Sequence, residues 1–141
     1  MNLVYTAKAK VTGGRAEGTG VSEDGNLNVK LAFPKELGGN GNGTNPEQLF
    51  AVGYAACFEG AMGVVAKNMK ANLGKYWIDS EVMLYKTAEG GFKLGAQLNV
   101  NLPELDQQTA RALVDQAHQV CPYSNATRGN MDVKLNVIGK Q

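Results

Sequence analysis

From Leu3 to Val11 apolar and polar side chains alternate, and the stretch is rich in Val, Tyr and Thr, so it predicts a β-strand. Gly13-Gly14 breaks the pattern and Arg15 follows at once. Ala16 to Ser22 predicts a second short strand. Asp24-Gly25-Asn26 is a turn, with Asp-Gly a strong hairpin signal. Beyond it Leu27, Val29, Leu31 and Phe33 alternate with Asn28, Lys30 and Ala32, a half-buried strand that Pro34 ends. Leu37 to Thr44 is a glycine-rich loop, mobile by composition. Further along, Tyr76 to Thr87 and Phe92 to Leu102 predict two strands of a long hairpin turned by Glu89-Gly90-Gly91. Pro103 to Val120 predicts a helix, with Ala110, Leu113, Val114 and Ala117 as its apolar stripe and Gln107, Arg111, Asp115 and Gln119 opposite. Asp132 to Ile138 alternates as a last strand. The order is that of an α+β fold with mostly antiparallel pairing, and with no repeat or linker it predicts a single domain over residues 1–141.

The chain is organised around the stretch from Thr44 to Lys70. Two helix starts compete there. Thr44 and Glu47 have capping-box spacing, while Asn45 before Pro46 offers a cap followed by proline at the first helical position. Small and apolar residues then run for about five turns with almost no charge. Leu49, Gly53, Ala56, Gly60 and Val64 recur at helical spacing, and so do Phe50, Tyr54, Cys57, Ala61 and Val65. A helix apolar nearly all round is a buried one, and its small residues allow close packing. One sheet and one amphipathic helix leave part of it open, and burial in a homodimer supplies the rest.

Length and composition narrow the functional classes. A chain of 141 residues holds one domain with a real core, and 43% hydrophobic with 19% charged residues is ordinary globular composition. With 14 basic and 13 acidic residues and no long run of either sign, neither nucleic acid nor an anionic membrane is an expected partner. The N-terminus has no signal-peptide pattern, and no apolar run is expected to span a bilayer, so the expected location is cytoplasmic. The glycine-rich loop before the helix lacks P-loop spacing and a following Lys-Ser/Thr pair, which argues against phosphate binding.

The two cysteines, Cys57 in the apolar helix and Cys121 before Pro122, change the picture. In a cytoplasmic chain such thiols stay reduced unless they cycle. They lack the spacing and number of a metal site, so no metal is expected. Their sequence context is specific. Gly-Gly-Arg (13–15), Ser-Glu-Asp-Gly (22–25), Gly-Thr-Asn-Pro-Glu-Gln-Leu-Phe-Ala (43–51), Gly-Tyr-Ala-Ala-Cys-Phe (53–58) and Val-Cys-Pro-Tyr-Ser-Asn-Ala-Thr-Arg-Gly-Asn (120–130) resemble, in order and spacing, the organic hydroperoxide resistance subgroup of the OsmC/Ohr family.

That resemblance implies an intertwined homodimer with long central helices wrapped by mostly antiparallel sheets. It implies a thiol peroxidase acting on organic hydroperoxides in the oxidative stress response, with Cys57 as peroxidatic and Cys121 as resolving cysteine joined in a redox-active disulfide. Arg15 and Glu47 stand at the positions of the family's active-site arginine and its carboxylate partner. No bound cofactor is implied; the reductant is an external dithiol carried by a lipoylated protein. A sister subgroup with other substrate preferences and a non-catalytic redox sensor are the alternative readings.

Physical chemistry favours each role. A thiol near its ordinary pKa is only a few per cent thiolate at neutral pH, and burial lowers that fraction. Cys57 lies too far from the helix start for the macrodipole to help. An arginine is always charged and presents a fixed fork of donors, and a partly buried arginine needs a counter-charge such as Glu47 to orient it. Phe50, Phe58, Met62 and Met69 are candidate pocket residues for the organic chain. Arg128 is expected to anchor its loop, and His118, the only histidine, to sit at the surface or in packing.

Overall fold

The computed structural model describes residues 1–141. Within one chain they form two compact units, residues 1–49 and 50–141. The chain passes from one to the other inside its longest helix.

The first unit is a small antiparallel sheet in the order β1-β2-β3, with β1 at Ala9–Thr12, β2 at Thr19–Ser22 and β3 at Asn28–Lys30. All three strands are shorter than the alternation predicts. Residues 1–8 lie outside the sheet and are exposed, with Leu3 at 85% and Val4 at 95%. Apolar alternation there has no partner to bury against within the unit. Between β1 and β2 a single helical turn, α1 (Gly14–Glu17), replaces the predicted start of a strand at Ala16. Gly13 and Gly14 cause it: both hold φ above +80°, where a side chain is strained, and they fold the chain so that the Gly18 amide donates to the Gly14 carbonyl at 2.8 Å.

The glycine-rich segment is tied down rather than left loose. A 3-10 turn at Lys35–Leu37 starts it. The amides of Gly39 and Gly41 then donate to the carbonyls of Pro34 and Phe33, and Thr44 pairs with residues 30–32 through two backbone bonds. Composition signalled a loop correctly but carried no information about these backbone partners.

The long helix α2 runs Pro46–Met69, 24 residues. Of the two competing starts, the second is used: the Asn45 side chain accepts the Gln48 amide at 2.9 Å, and Pro46 opens the helix. The Thr44 hydroxyl donates to the Gln48 side chain instead, which leaves Glu47 available to an ion pair.

The second unit carries the core. One stripe of α2 (Tyr54, Phe58, Ala61, Met62, Val65 and Ala66) is buried. It shares a cluster with Ala96, Leu98, Val100 and Leu102, and with Ala110, Leu113, Val114 and Ala117. The opposite stripe of α2 is not buried in the single chain: Val52 is 71% and Val64 53% exposed, with Ala56, Gly60 and Gly63 also exposed. The all-round apolar pattern therefore corresponds to one buried face and one apolar face that the chain itself does not cover. The expectation about membrane spans is also corrected, since α2 is long and apolar enough by length and composition to cross one. Its many alanines and glycines carry apolar character without the bulky run that usually signals a span.

The predicted hairpin is present as β4 (Trp77–Lys86) and β5 (Phe92–Asn101), paired antiparallel from Trp77↔Asn101 to Lys86↔Phe92. The last strand, β6 (Val133–Ile138), lies beside β5 but runs parallel to it. A parallel return needs a crossover. It is built from α3 (Gln107–Val120) and a short helix that the pattern did not predict, α4 (Pro122–Thr127). Helix α3 begins at Gln107 rather than Pro103 because the Asp106 carboxylate caps it, accepting the Thr109 amide at 2.9 Å and its hydroxyl at 2.7 Å. Fold class and element order are those of an α+β protein.

Candidate active site

The first unit supplies a charge pair. Arg15 projects from α1, the turn set up by Gly13-Gly14, and its Nη2 donates to Glu47 Oε2 at 2.9 Å. The two side chains are 33% and 17% exposed, so the pair is partly desolvated. The guanidinium also lies over the Phe33 ring, 4.9 Å from its centroid. Glu47 holds one edge of the planar group and Phe33 covers its face. Arg15 Nε is buried without a hydrogen-bond partner. An unpaired buried donor is costly and is satisfied when an acceptor arrives.

The second unit supplies a thiol pair. The Cys121 thiol donates toward the Cys57 sulfur, 3.6 Å away, and both cysteines are free. Cys57 sits on the core side of α2 yet stays partly accessible, while Cys121 is fully buried. Cys121 is the joint between two helices. Its amide closes α3 on the Ala117 carbonyl, and its own carbonyl accepts the Asn125 amide to start α4. Pro122 at the first position of α4 turns the chain there, and it loses no hydrogen bond by doing so. Burial pushes the Cys57 thiol above its ordinary pKa; a hydrogen bond from the Tyr123 backbone amide opposes this, and the neighbouring Cys121 thiol adds to the rise.

Beside α4 lies an open cleft of about 670 Å³, lined by Phe50, Phe92, Leu94, Pro122, Tyr123 and Met131 among others. Phe50 and Tyr123 meet edge to face with centroids 5.8 Å apart. Of the four pocket residues proposed from sequence, Phe50 lines this cleft. Phe58 and Met62 are 0% exposed and belong to the core, and Met69 packs against that core. Helical spacing cannot distinguish the stripe facing the chain's own sheet from the stripe facing an opening, which is why these residues were grouped together.

Sequence reasoning missed a hydrogen-bonded cluster. The Tyr54 hydroxyl lies 2.9 Å from Ser124 Oγ and 3.2 Å from Thr127 Oγ1, all three buried. His118 Nδ1 lies 2.8 Å from the same Ser124 hydroxyl. His118 is therefore a hydrogen-bonding partner rather than a plain surface or packing residue. Burial lowers its pKa first and the Arg128 charge second, with Asp115 pulling the other way. Arg128 does anchor its loop: its guanidinium donates to the Asn125 side chain at 2.9 Å and to the His118 carbonyl. A signal was available in the three-residue spacings Tyr54–Cys57 and His118–Cys121–Ser124. No group of three or more His, Cys, Asp or Glu side chains is arranged to hold a metal.

Comparison with known proteins bears on the whole chain. The OsmC-like protein family model matches residues 39–136. The organic hydroperoxide resistance protein of Xanthomonas axonopodis pv. citri (strain 306) is 55% identical over 137 residues, 96% of this chain and 95% of that one. The organic hydroperoxide resistance protein OhrB of Bacillus subtilis (strain 168) is 48% identical, covering 95% of this chain and 98% of its own. The crystal structure of an organic hydroperoxide resistance protein from Legionella pneumophila superposes with a TM-score of 0.92 at 53% identity, over 99% of this chain and 100% of that one. Sequence and fold agree along nearly the full length, and the chain belongs to the OsmC-like family, in its organic hydroperoxide resistance subgroup.

Proposed function

We propose that this protein is a cysteine-based peroxidase that reduces organic hydroperoxides to alcohols. The observation that carries the reading is the 3.6 Å approach of an accessible Cys57 to a buried Cys121. The Cys57 thiolate attacks the peroxide oxygen distal to the organic group. The O–O bond breaks, the organic oxygen takes a proton and leaves as the alcohol, and Cys57 becomes a sulfenic acid. The Cys121 thiol then displaces the hydroxyl, so that an S–S bond forms, the S–O bond breaks and water leaves. An external dithiol of the lipoyl type, on a partner protein, reopens the disulfide by exchange and is itself oxidised.

Because burial pushes the Cys57 thiol up, a nearby cation would favour the thiolate that attacks. We assign that role to Arg15, kept in orientation by Glu47, and the unpaired Arg15 Nε is a further donor for a peroxide oxygen. The apolar cleft beside α4 favours an alkyl or lipid chain over hydrogen peroxide. The uncovered apolar stripe of α2 supports a homodimer with that helix at its centre, and a reduced thiol pair suits the cytoplasm. Steady-state consumption of tert-butyl hydroperoxide with dihydrolipoamide tests the activity. Faster turnover than with hydrogen peroxide is expected, and no turnover with either would refute it. Sedimentation as a stable monomer at micromolar concentration would remove the dimer.

A further inference from the structure

Each cysteine is flanked, three residues away, by a member of one buried hydroxyl cluster. Tyr54 precedes Cys57 by three on α2, and residues three apart on a helix share a face. Ser124 follows Cys121 by three on α4, and His118 precedes Cys121 by three on α3. The Tyr54–Ser124 bond therefore joins the two cysteine-bearing segments about one helical turn from where the sulfurs approach.

The groups in the cluster satisfy one another. Thr127 Oγ1 donates to the Ser124 carbonyl, leaving its lone pairs for the Tyr54 hydroxyl. Ser124 Oγ stands between Tyr54 and His118 and can donate to one while accepting from the other. Arg128 fixes the His118 carbonyl and the Asn125 side chain, closing the turn between α3 and α4 from outside. Close approach reinforces the join. A Cβ at Gly53 would lie 2.8 Å from the Tyr123 hydroxyl, so the Tyr123 ring of α4 rests against α2 at the position where Gly53 has no side chain. Ser124 and Tyr54 are both 0% exposed, and a buried chain of mutually satisfied hydroxyls is rigid.

From this register we infer that Tyr54, Ser124 and His118 are positioning residues for the second chemical step, clamping Cys121 onto Cys57 so that sulfenic acid is resolved before it oxidises further. The inference rests on the peroxidase reading above. It separates two steps that share Cys57. In the proposed reaction, attack on peroxide needs the Cys57 thiolate, its supporting cation and the substrate, but not the Cys121 sulfur. Resolution needs the Cys121 sulfur in line with the S–O bond of the sulfenic acid, and misplacement of a reacting group by a fraction of its bond length is felt in rate. The clamp acts on the second step because it holds the segment that carries Cys121.

The test uses Tyr54→Phe and Ser124→Ala, which each delete one oxygen, with Ser124→Thr as the conservative rescue. Reduced protein is mixed with one equivalent of cumene hydroperoxide, and the Cys57 sulfenic acid (trapped with dimedone), the disulfide and the sulfinic acid are followed by mass spectrometry. Peroxide should be consumed at close to the parent rate in both variants. Disulfide formation should slow by roughly three- to tenfold, the factor that loss of one ordinary hydrogen bond corresponds to. Sulfinic acid should accumulate under excess peroxide, and Ser124→Thr should restore the parent pattern. Parent disulfide rates in both deletions would overturn the inference. So would an equal fall in both steps with a lowered melting temperature, which would make the cluster purely structural. If the parent protein itself forms neither sulfenic acid nor disulfide, the peroxidase reading fails instead.

Discussion

The Arg15–Glu47 pair and the Cys57–Cys121 pair are made from opposite materials. The first is an ion pair, partly desolvated, between the single turn α1 and the first turn of α2 in a sparsely buried unit. The second is a pair of free thiols, one on α2 and one at the joint of α3 and α4, beside a dense core, where burial pushes the Cys57 thiol up. The guanidinium cannot act as a nucleophile, and burial pushes the Cys57 thiol above its ordinary pKa, which disfavours the thiolate that attacks. In the proposed reaction each supplies what the other lacks. The core gives the sulfurs a defined separation, and the charge pair gives a cation that stays charged at every relevant pH.

Removing Cys121 should break that division of labour most completely. Cys121→Ser is expected to complete one peroxide reduction and then stop, with sulfenic and sulfinic acid accumulating on Cys57; full steady-state turnover with dihydrolipoamide would show that Cys121 does not resolve.

Next in size is Arg15→Ala. Loss of a charge-assisted hydrogen bond of about 1.5–3 kcal/mol corresponds to roughly one to two pKa units for the Cys57 thiol, upward because the thiolate loses its support. Turnover should fall further than this shift alone explains, since in the proposed reaction the arginine also positions peroxide. Arg15→Lys should recover only part, as an ammonium lacks the planar fork. The pH profile of iodoacetamide alkylation together with turnover reads both. An unchanged profile and unchanged turnover in Arg15→Ala would reduce the charge pair to a surface feature.

Glu47→Ala should cost less than Arg15→Ala, because it frees the guanidinium without discharging it. A loss equal to that of Arg15→Ala would mean the carboxylate itself takes part.

The smallest effect concerns His118. Its folded pKa lies below the ordinary value, so the unfolded chain binds the proton more readily. Its contribution to stability is complete above the unfolded value of about 6.5 and is lost as pH falls toward the folded one. Urea midpoints at about pH 8 and about pH 5 should differ less in His118→Gln than in the parent, and an identical difference would exclude His118 as a source.

How much of this was legible in the sequence differs along the chain. The β4–β5 hairpin and the apolar stripe of α3 follow from short-range periodicity, and both are where it puts them. The Asn45-Pro46 start of α2 was one of two local choices, and in the structure Asn45 caps the helix while Glu47 pairs with Arg15, 32 residues away, rather than closing a capping box. Helix α4 was missed because its six residues, opened by Pro122, are too few to show a period. The two-sided apolar pattern of α2 showed that both faces are apolar, but not that the chain covers only one of them.

By itself, the sequence determined the family and most of the longer elements and pointed to the side chains proposed as reactive, because these depend on nearest neighbours along the chain and on motif spacing. Only the tertiary structure decided that two sulfurs 64 residues apart in sequence lie 3.6 Å apart. It alone decided that Phe58 and Met62 are core while Phe50 faces a cleft, and that one serine hydroxyl lies between a histidine and a tyrosine. The reason is physical: a side chain's reactivity depends on burial, separation and partners, and these are set by how distant segments pack.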